Sequence, residues 1–307
     1  MLNLKKSKAV LGIDIGSKTT KFMQIVFTGT EKPIIQLCKL MPSGTADETF
    51  ESNLKIFLRD NKIVTPLAAC SIDDPSMKIR RMELPKMPEP DMIEAIKWNL
   101  RDLVEGDVDH FTVNYSIISE NPKDETVPME IVAYAIDKKV VDSYQLKISQ
   151  IGFQPFFIEP ASVTLASTLD RCHGADNAYV AGVDIGFKTT LFYVIGKRLF
   201  LFSRPMPEIS LEAHQKEPET FNQKLALEIQ KSIDTFKVNF KMEEIGTLYL
   251  SGGGALLPDL NKYLTMNLGI TANTLNPFVT LNPAETLEPG IQPTLFAKAV
   301  GLAYLQA

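Results

Sequence analysis

Two acidic-glycine turns carry the most chemistry in this sequence. The stretch Val10-Leu-Gly-Ile-Asp-Ile-Gly-Ser-Lys-Thr-Thr-Lys-Phe-Met-Gln-Ile25 returns 170 residues later as Val180-Ala-Gly-Val-Asp-Ile-Gly-Phe-Lys-Thr-Thr-Leu-Phe-Tyr-Val-Ile195, with ten of sixteen positions identical. Each copy reads as apolar strand, turn and second strand. Gly16 and Gly186 carry no Cβ, so the turn can bend sharply and bring backbone N–H groups against phosphate oxygens. Ser17, Lys18 and Thr19 in one turn, and Phe187, Lys188 and Thr189 in the other, form the rims; Thr20 and Thr190 add hydroxyls, and Lys21 could neutralise a phosphate as a point charge. Asp14 and Asp184 end apolar strands, where a carboxylate needs a partner and a hydrated Mg²⁺ would serve. The plainer alternative is two hairpins with glycine turns and capping aspartates.

Three further groups extend the pattern. Glu159 lies at a strand-to-helix corner ahead of Pro160, where a carboxylate could hold a magnesium-bound water or orient an attacking one. With Asp184 it is a candidate catalytic residue; alone it equally fits a helix N-terminal acid stabilised by the dipole. The run Ser251-Gly-Gly-Gly254 follows a strand, and bare backbone at Gly252, Gly253 and Gly254 would let a flat ring or a phosphate lie close. Glu228 and Lys231, one helical turn apart with Thr235 beyond, could bond a ribose and a purine, or form a solvated ion pair.

Those groups need a scaffold, and composition bounds it. With 307 residues, 45% apolar and 22% charged, the chain is an ordinary globular α/β candidate long enough for two medium domains. A net charge of −5 leaves no footprint for nucleic acid, and beyond Lys5, Lys6 and Lys8 no Lys/Arg run approaches a polybasic block. Cys38, Cys70 and Cys172 stand apart without metal or disulfide spacing, as expected of reduced thiols in a cytosolic protein. His110, His173 and His214 fit no ligand pattern. No window has the apolar length of a membrane span, so any membrane role would run through a partner.

Along the chain, strands are expected at 10–27, 34–40 and 67–72 and a helix at 48–61, with Phe50, Leu54, Phe57 and Leu58 on one face. Pro85, Pro88 and Pro90 then interrupt the pattern, and Asp91 reads as the cap of a helix reaching about Val104. Paired strands at 111–119 and 129–136 and a helix at 138–151 ended by Gly152 complete a small α+β module over 77–152. The chain returns to a strand at 156–159 and a helix at 160–169. After the second turn come a strand at 199–202, a polar loop at 210–220, a long amphipathic helix at 221–240, a strand at 247–250 and helices at 258–268 and 296–305. Strands interleaved with helices argue α/β architecture.

The order of these motifs resembles the actin-like ATPase superfamily. Arg81-Met-Glu-Leu-Pro-Lys-Met-Pro-Glu-Pro-Asp-Met-Ile-Glu-Ala-Ile-Lys-Trp98 closely resembles the inserted module of PilM, an actin-like protein of type IV pilus assembly. Gly152-Phe-Gln-Pro155, Tyr249-Leu-Ser-Gly-Gly-Gly-Ala-Leu-Leu-Pro258 and Phe296-Ala-Lys-Ala-Val-Gly-Leu-Ala303 are similar to other PilM segments. The resemblance implies a two-lobed actin-like fold of ribonuclease H-like repeats, with the module inserted in the first lobe and, here, a reduced second-lobe subdomain. The first lobe would be 1–76 and 153–175, the second 176–307, its C-terminal helix packing back toward the first. It implies ATP and Mg²⁺ in the central cleft. Asp14, Gly16, Ser17, Thr19 and Lys21 match the first phosphate turn; Asp184, Gly186 and Thr189 match the second; Gly252, Gly253 and Gly254 match the adenosine turn. It further implies a cytoplasmic scaffold, at most a slow ATPase, that binds the N-terminal tail of a PilN-like inner-membrane protein and works beside pilus motor ATPases in twitching motility. Residues 191–220 are few where the family has a subdomain flanking adenine. Three alternatives stay open: a nucleotide-free scaffold, an FtsA-like division filament protein, or a small-molecule kinase of the same fold. FtsA usually ends in an amphipathic membrane helix, and no such pattern precedes Ala307.

Overall fold

The computed structural model describes residues 10–27, 32–43, 48–60, 67–74, 76–104, 106–121, 124, 126–174, 178–240, 243–282, 287 and 290–305. Lys5, Lys6, Lys8, the side chain of Phe50 and residues 306–307 lie outside that set.

The repeated sequence builds a repeated fold. Strands β1 (Leu11–Ile15), β2 (Thr19–Val26) and β3 (Ile34–Pro42) form an antiparallel meander. Helix α1 (Glu48–Asp60) leads to β4 (Leu67–Ile72), which runs parallel to β1. An insertion follows, with β5 (Lys78–Leu84), α2 (Glu89–Leu100), β6 (Phe111–Ser119) and β7 (Met129–Asp137). Then α3 (Lys138–Gln150), β8 (Gln154–Pro160) and α4 (Ala161–His173) close the first half, giving a sheet ordered β3-β2-β1-β4-β8. In the second half β9 (Tyr179–Ile185), β10 (Thr190–Gly196) and β11 (Leu199–Pro205) repeat the meander. Helices α5 (Leu211–Lys216) and α6 (Pro218–Asn239), strand β12 (Ile245–Ser251), helix α7 (Leu260–Leu268), strand β13 (Thr271–Thr274) and helix α8 (Ala297–Ala303) complete it. The second sheet is ordered β11-β10-β9-β12-β13, the same topology as the first.

Alternation along β1 and β9 decides which face each side chain serves. Leu11 and Ile13 join Leu54 of α1 and Ile148 of α3 in the outer core of the first lobe. Ala181, Val183 and Ile185 join the stripe of α6, with Leu225, Ile229 and Phe236, in that of the second. The opposite faces look inward, and there the helices are exchanged. Helix α4, which follows the first sheet, packs Ala161, Leu165 and Leu169 against Leu191 and Tyr193 of the second. Helix α8 packs Ala299, Val300 and Ala303 against Met23 and Ile25 of the first. Gly12 makes room for it: a Cβ there would meet the Ala299 carbonyl oxygen at 2.5 Å and the Ala303 nitrogen at 2.8 Å. Asp14 and Asp184 stand on these same inward faces, two residues past Gly12 and Gly182.

Several local expectations need correcting. Helix α2 begins at Glu89, with Pro88 as its N-cap and no side-chain cap, so Asp91 lies in the first turn. The first four N–H groups of a helix are unpaired anyway, and Pro90 therefore fits inside it. Segment 210–220 is helical rather than loop: the Ser210 hydroxyl accepts from the Ala213 N–H at 3.1 Å to cap α5, and Pro218 opens α6. Strands β5 and β13 are additional. Helix α3 packs Tyr144 and Ile148 into the first lobe's core, whereas α2 and the β5-β7-β6 sheet share a separate core around Met92, Ile96 and Ile131.

Candidate functional site

Both turns open on one cleft of about 510 Å³ between the lobes, lined by residues 14–19, Lys21, Asp184, residues 186–189, Gly252 and Gly253. Each turn is a two-residue hairpin bend closed by a glycine amide: Gly16 N–H donates to the Thr19 carbonyl at 3.2 Å and Gly186 N–H to that of Thr189 at 2.8 Å. The two glycine amides are thus spent on the turns. Among the described residues no hydrogen bond engages the amides of Ser17, Lys18, Phe187 or Lys188, which leaves four donors at the bends.

Each bend is buttressed by a residue whose part was not foreseen. Ser43, just past β3, donates its hydroxyl to the Gly16 carbonyl at 2.6 Å and its N–H to that of Lys18 at 2.9 Å. In the second lobe the first amides of α5 play that part, Leu211 to the Gly186 carbonyl at 3.0 Å and Glu212 to that of Phe187 at 2.9 Å. The turns meet across the cleft. The Lys18 ammonium sits 4.8 Å from the centre of the Phe187 ring, and Thr189 Oγ1 donates to Asp73 Oδ2 at 2.6 Å.

The two strand-end carboxylates converge on a lysine, and this is the decisive feature. Lys298 of α8 places Nζ 3.1 Å from Asp184 Oδ2, 3.9 Å from Asp14 Oδ1 and 4.0 Å from Asp73 Oδ2. Lys21 Nζ donates to Asp14 Oδ2 at 3.1 Å, and Ser251 Oγ donates to Asp184 Oδ1 at 2.7 Å. Three of the four carboxylate oxygens therefore have a donor within 3.1 Å, and Asp14 Oδ1 faces the Lys298 ammonium at 3.9 Å. Burial would raise the Asp14 carboxyl, but the charges of Lys298 and Lys21 and the Lys21 hydrogen bond outweigh it and hold it below the usual value. Burial likewise disfavours the Lys298 ammonium, and Asp14, Asp184 and Asp73 together lift it well above the usual lysine range. The donor set does not fit a resident Mg²⁺, contrary to the expectation for Asp14 and Asp184. Among the described residues no cluster of three or more His, Cys, Asp or Glu is placed to hold a metal ion. The physical reason is that Lys298 already supplies the cation the carboxylates require.

The remaining candidates divide. Gly252, with φ +77°, and Gly253 border the cleft, where a Cβ on Gly253 would meet Leu211 Cδ1 at 2.7 Å. Gly254 instead presses against the Ile185 side chain, so its bare backbone serves packing on β9. Glu228 is held away from the cleft lining by Arg204 Nη2 at 3.0 Å and by Lys231 at 2.7 Å. Glu159 accepts from Thr164 Oγ1 at 3.5 Å beside α4 and does not border the cleft. Burial raises its carboxyl above the usual range. Lys298 was missed because its segment reads as a helix of small residues. Its signal was there: one lysine inside Ala297-Lys-Ala-Val-Gly-Leu-Ala303 must find a carboxylate if that helix is buried.

Comparison with known proteins agrees with this architecture. The family model "Type IV pilus assembly protein PilM" matches residues 213–306. No curated protein matches by sequence. Among solved structures, the PilM-PilN type IV pilus biogenesis complex is 18% identical, covering 96% of this chain and 97% of that one at a TM-score of 0.82. The ethanolamine utilization protein EutJ from Carboxydothermus hydrogenoformans is 13% identical over 99% of this chain and 92% of its own, at 0.53. A protein of Bacteroides thetaiotaomicron with actin-like ATPase fold and unknown function is 12% identical over 90% and 95%, at 0.50. The fold is the actin-like one, and within it residues 213–306 match the PilM family model.

Proposed function

We propose that this protein is a cytoplasmic actin-like scaffold of a type IV pilus, or closely related secretion or competence, machine. It binds the N-terminal tail of a PilN-like inner-membrane protein and takes a nucleoside polyphosphate, ATP, in the interlobe cleft. The observation that carries the reading is the joint match of sequence pattern and fold to PilM, the structural match being to a PilM-PilN complex. Attachment to the membrane would be indirect: among the described residues no helix is long and apolar enough to cross one. Pilus motor ATPases are a further proposed partner of the same assembly.

The inserted module borders a hollow of about 290 Å³ whose walls include Met77, Ile79, Leu103, Pro160, Leu191 and Pro205. Its mainly apolar lining suits alternate side chains of an extended tail. Titration with synthetic N-terminal tails of PilN-like proteins, followed by calorimetry, tests this. Saturable binding is expected, weakened about tenfold or more in Ile79→Asp; no binding by any such tail, or binding indifferent to that substitution, would remove the partner or the groove.

In the cleft, the four free amides together with Lys18 and Lys188 provide donors and charge for phosphate oxygens. Hydrolysis is expected to be slow, since two of the three carboxylates that line the cleft, Asp14 and Asp184, are engaged by Lys21, Lys298 and Ser251, and the third, Asp73, accepts from Thr189. A second reading, a scaffold that holds no nucleotide, is favoured by one observation: Glu228 pairs with both Lys231 and Arg204, and neither Glu228 nor Lys231 lines the cleft. Thermal-shift titration with ATP separates the two.

A further inference from the structure

The position of Lys298 decides in what form a polyphosphate is held. We propose that Lys298 is a built-in cation standing where a divalent metal would bridge the two lobe carboxylates, so that the cleft takes its nucleoside polyphosphate as the metal-free anion. The inference rests on the nucleotide reading above for its ligand, but its claim about metal stands on the cleft alone.

Three observations carry it. First, the ammonium is central: it approaches one carboxylate from each repeat, Asp14 and Asp184, and a third, Asp73, from the loop after β4. A metal ion bridging the same pair would have to share that space with a fixed positive charge, and like charges at such range repel strongly inside a protein. Second, three of the four carboxylate oxygens already have a donor within 3.1 Å, Asp14 Oδ2 from Lys21, Asp184 Oδ1 from Ser251 and Asp184 Oδ2 from Lys298, and the fourth, Asp14 Oδ1, faces the Lys298 ammonium at 3.9 Å. Third, the lining is already electropositive without a metal. Lys18, Lys21, Lys147, Lys188 and Lys298 face only Asp14, Asp73 and Asp184, an excess of two positive charges before any ion is added. A polyanion entering this cleft meets ammonium groups and free backbone amides, the ligands a magnesium ion would otherwise replace.

Lys298 is also well held. Helix α8 is pinned to α4 where Thr168 Oγ1 donates to the Ala297 carbonyl at 2.9 Å, one residue before the lysine, and its small residues let it lie flat on β1. The cation is thus positioned by the seam between the lobes rather than by a mobile side chain on a loop.

The test uses the full chain and two probes. MnCl₂ titration followed by electron paramagnetic resonance should find no saturable site in the wild type. It should find one in Lys298→Met, where the carboxylates are left without their cation; a folded variant that still binds no Mn²⁺ would overturn the proposal. Fluorescent ATP binding should be the same within about twofold in EDTA and in MgCl₂ for the wild type. In Lys298→Met it should fall about tenfold in EDTA and recover with MgCl₂. Saturable Mn²⁺ binding by the wild type, or loss of ATP binding in EDTA, would overturn the proposal without recourse to the variant, so a variant that fails to fold leaves the test intact. Absence of ATP binding in both buffers defeats the nucleotide reading and the metal-free ligand with it; the manganese titration still decides whether Lys298 excludes metal.

Discussion

At the scale of single residues, a side chain's neighbours decide whether its chemistry is available. Asp14 and Asp184 were legible as paired from the repeat itself, because identical spacing in two halves places them at equivalent strand ends. Their partner was not, because Lys298 lies far away in sequence and reaches them only through the packing of α8. Glu159 gives the opposite lesson, a carboxylate at a suggestive corner that the fold turns toward Thr164 and away from the cleft. Its carboxyl is raised by burial, and the sign of the consequence follows. An acid with a folded-state value above its unfolded one binds its proton more tightly when folded, so its contribution is fully present below the unfolded value, near 4.3, and is lost as pH rises through the folded one. Above its folded-state value the ionised group is therefore a burden. Glu159→Gln keeps an acceptor for Thr164 without the charge and should raise the melting temperature at pH 7, with the gain vanishing as the pH falls below the unfolded value. Thermal melts across that range check it. A loss of stability at pH 7 would mean that the charge has a partner after all.

Among the elements, strands with alternating or continuous apolar runs were the most legible, since β1, β4 and β9 are buried on both faces and β12 buries Ile245, Leu248 and Leu250. Strand β5 was not, because Lys78-Ile-Arg-Arg-Met-Glu-Leu84 is charged and half-exposed, and its identity as a strand comes from pairing with β7. Helix α5 has six residues, too few for a period, and was hidden beside Pro218. The element that matters most to the site is α8, and its seating depends on Gly12. A methyl group there would push on backbone atoms of the helix, which cannot turn aside as a side chain can. Gly12→Ala should destabilise the protein by about 1–3 kcal/mol. Gly246, on the edge of β12's start, is the control: a Cβ there approaches nothing nearer than the Tyr179 carbonyl oxygen at 3.9 Å. Gly246→Ala should leave the melting temperature nearly unchanged. Equal effects of the two substitutions in chemical denaturation would show that α8 does not lie against β1 as described.

The whole molecule is organised by the exchange of α4 and α8, and that exchange predicts how it comes apart. Each lobe has an outer core of its own, but each inner sheet face is covered by a helix that belongs in sequence to the other half. Neither lobe can unfold without uncovering its neighbour, so the two lobes should melt together as one cooperative unit. The inserted module differs. Its core of Met92, Ile96, Leu100, Ile131 and Ala133 includes no residue of either lobe. A cross-link to the second lobe runs through Arg81, which donates to the Asn239 carbonyl at 3.0 Å, stacks 4.2 Å from the centre of the Phe240 ring and pairs with Glu130 of its own sheet. That one side chain ties β5 to the end of α6. A region with its own core, joined to the lobes by Arg81, by Ile118 of β6 on the second lobe's core and by contacts of β5 with β11 and β7 with α3, is the part expected to open below the global transition. Hydrogen exchange on the full chain should accordingly find amides of β6 and β7 exchanging through a lower-energy opening than those of β1 and β9. In Arg81→Ala the gap should widen by about 1 kcal/mol, while the main calorimetric transition stays in place. If the module and both lobes instead exchange at one common free energy in both proteins, then the module is part of the same cooperative block. In that case movement of the lobes could not be passed to a tail bound at the module's border as a displacement of the module relative to them.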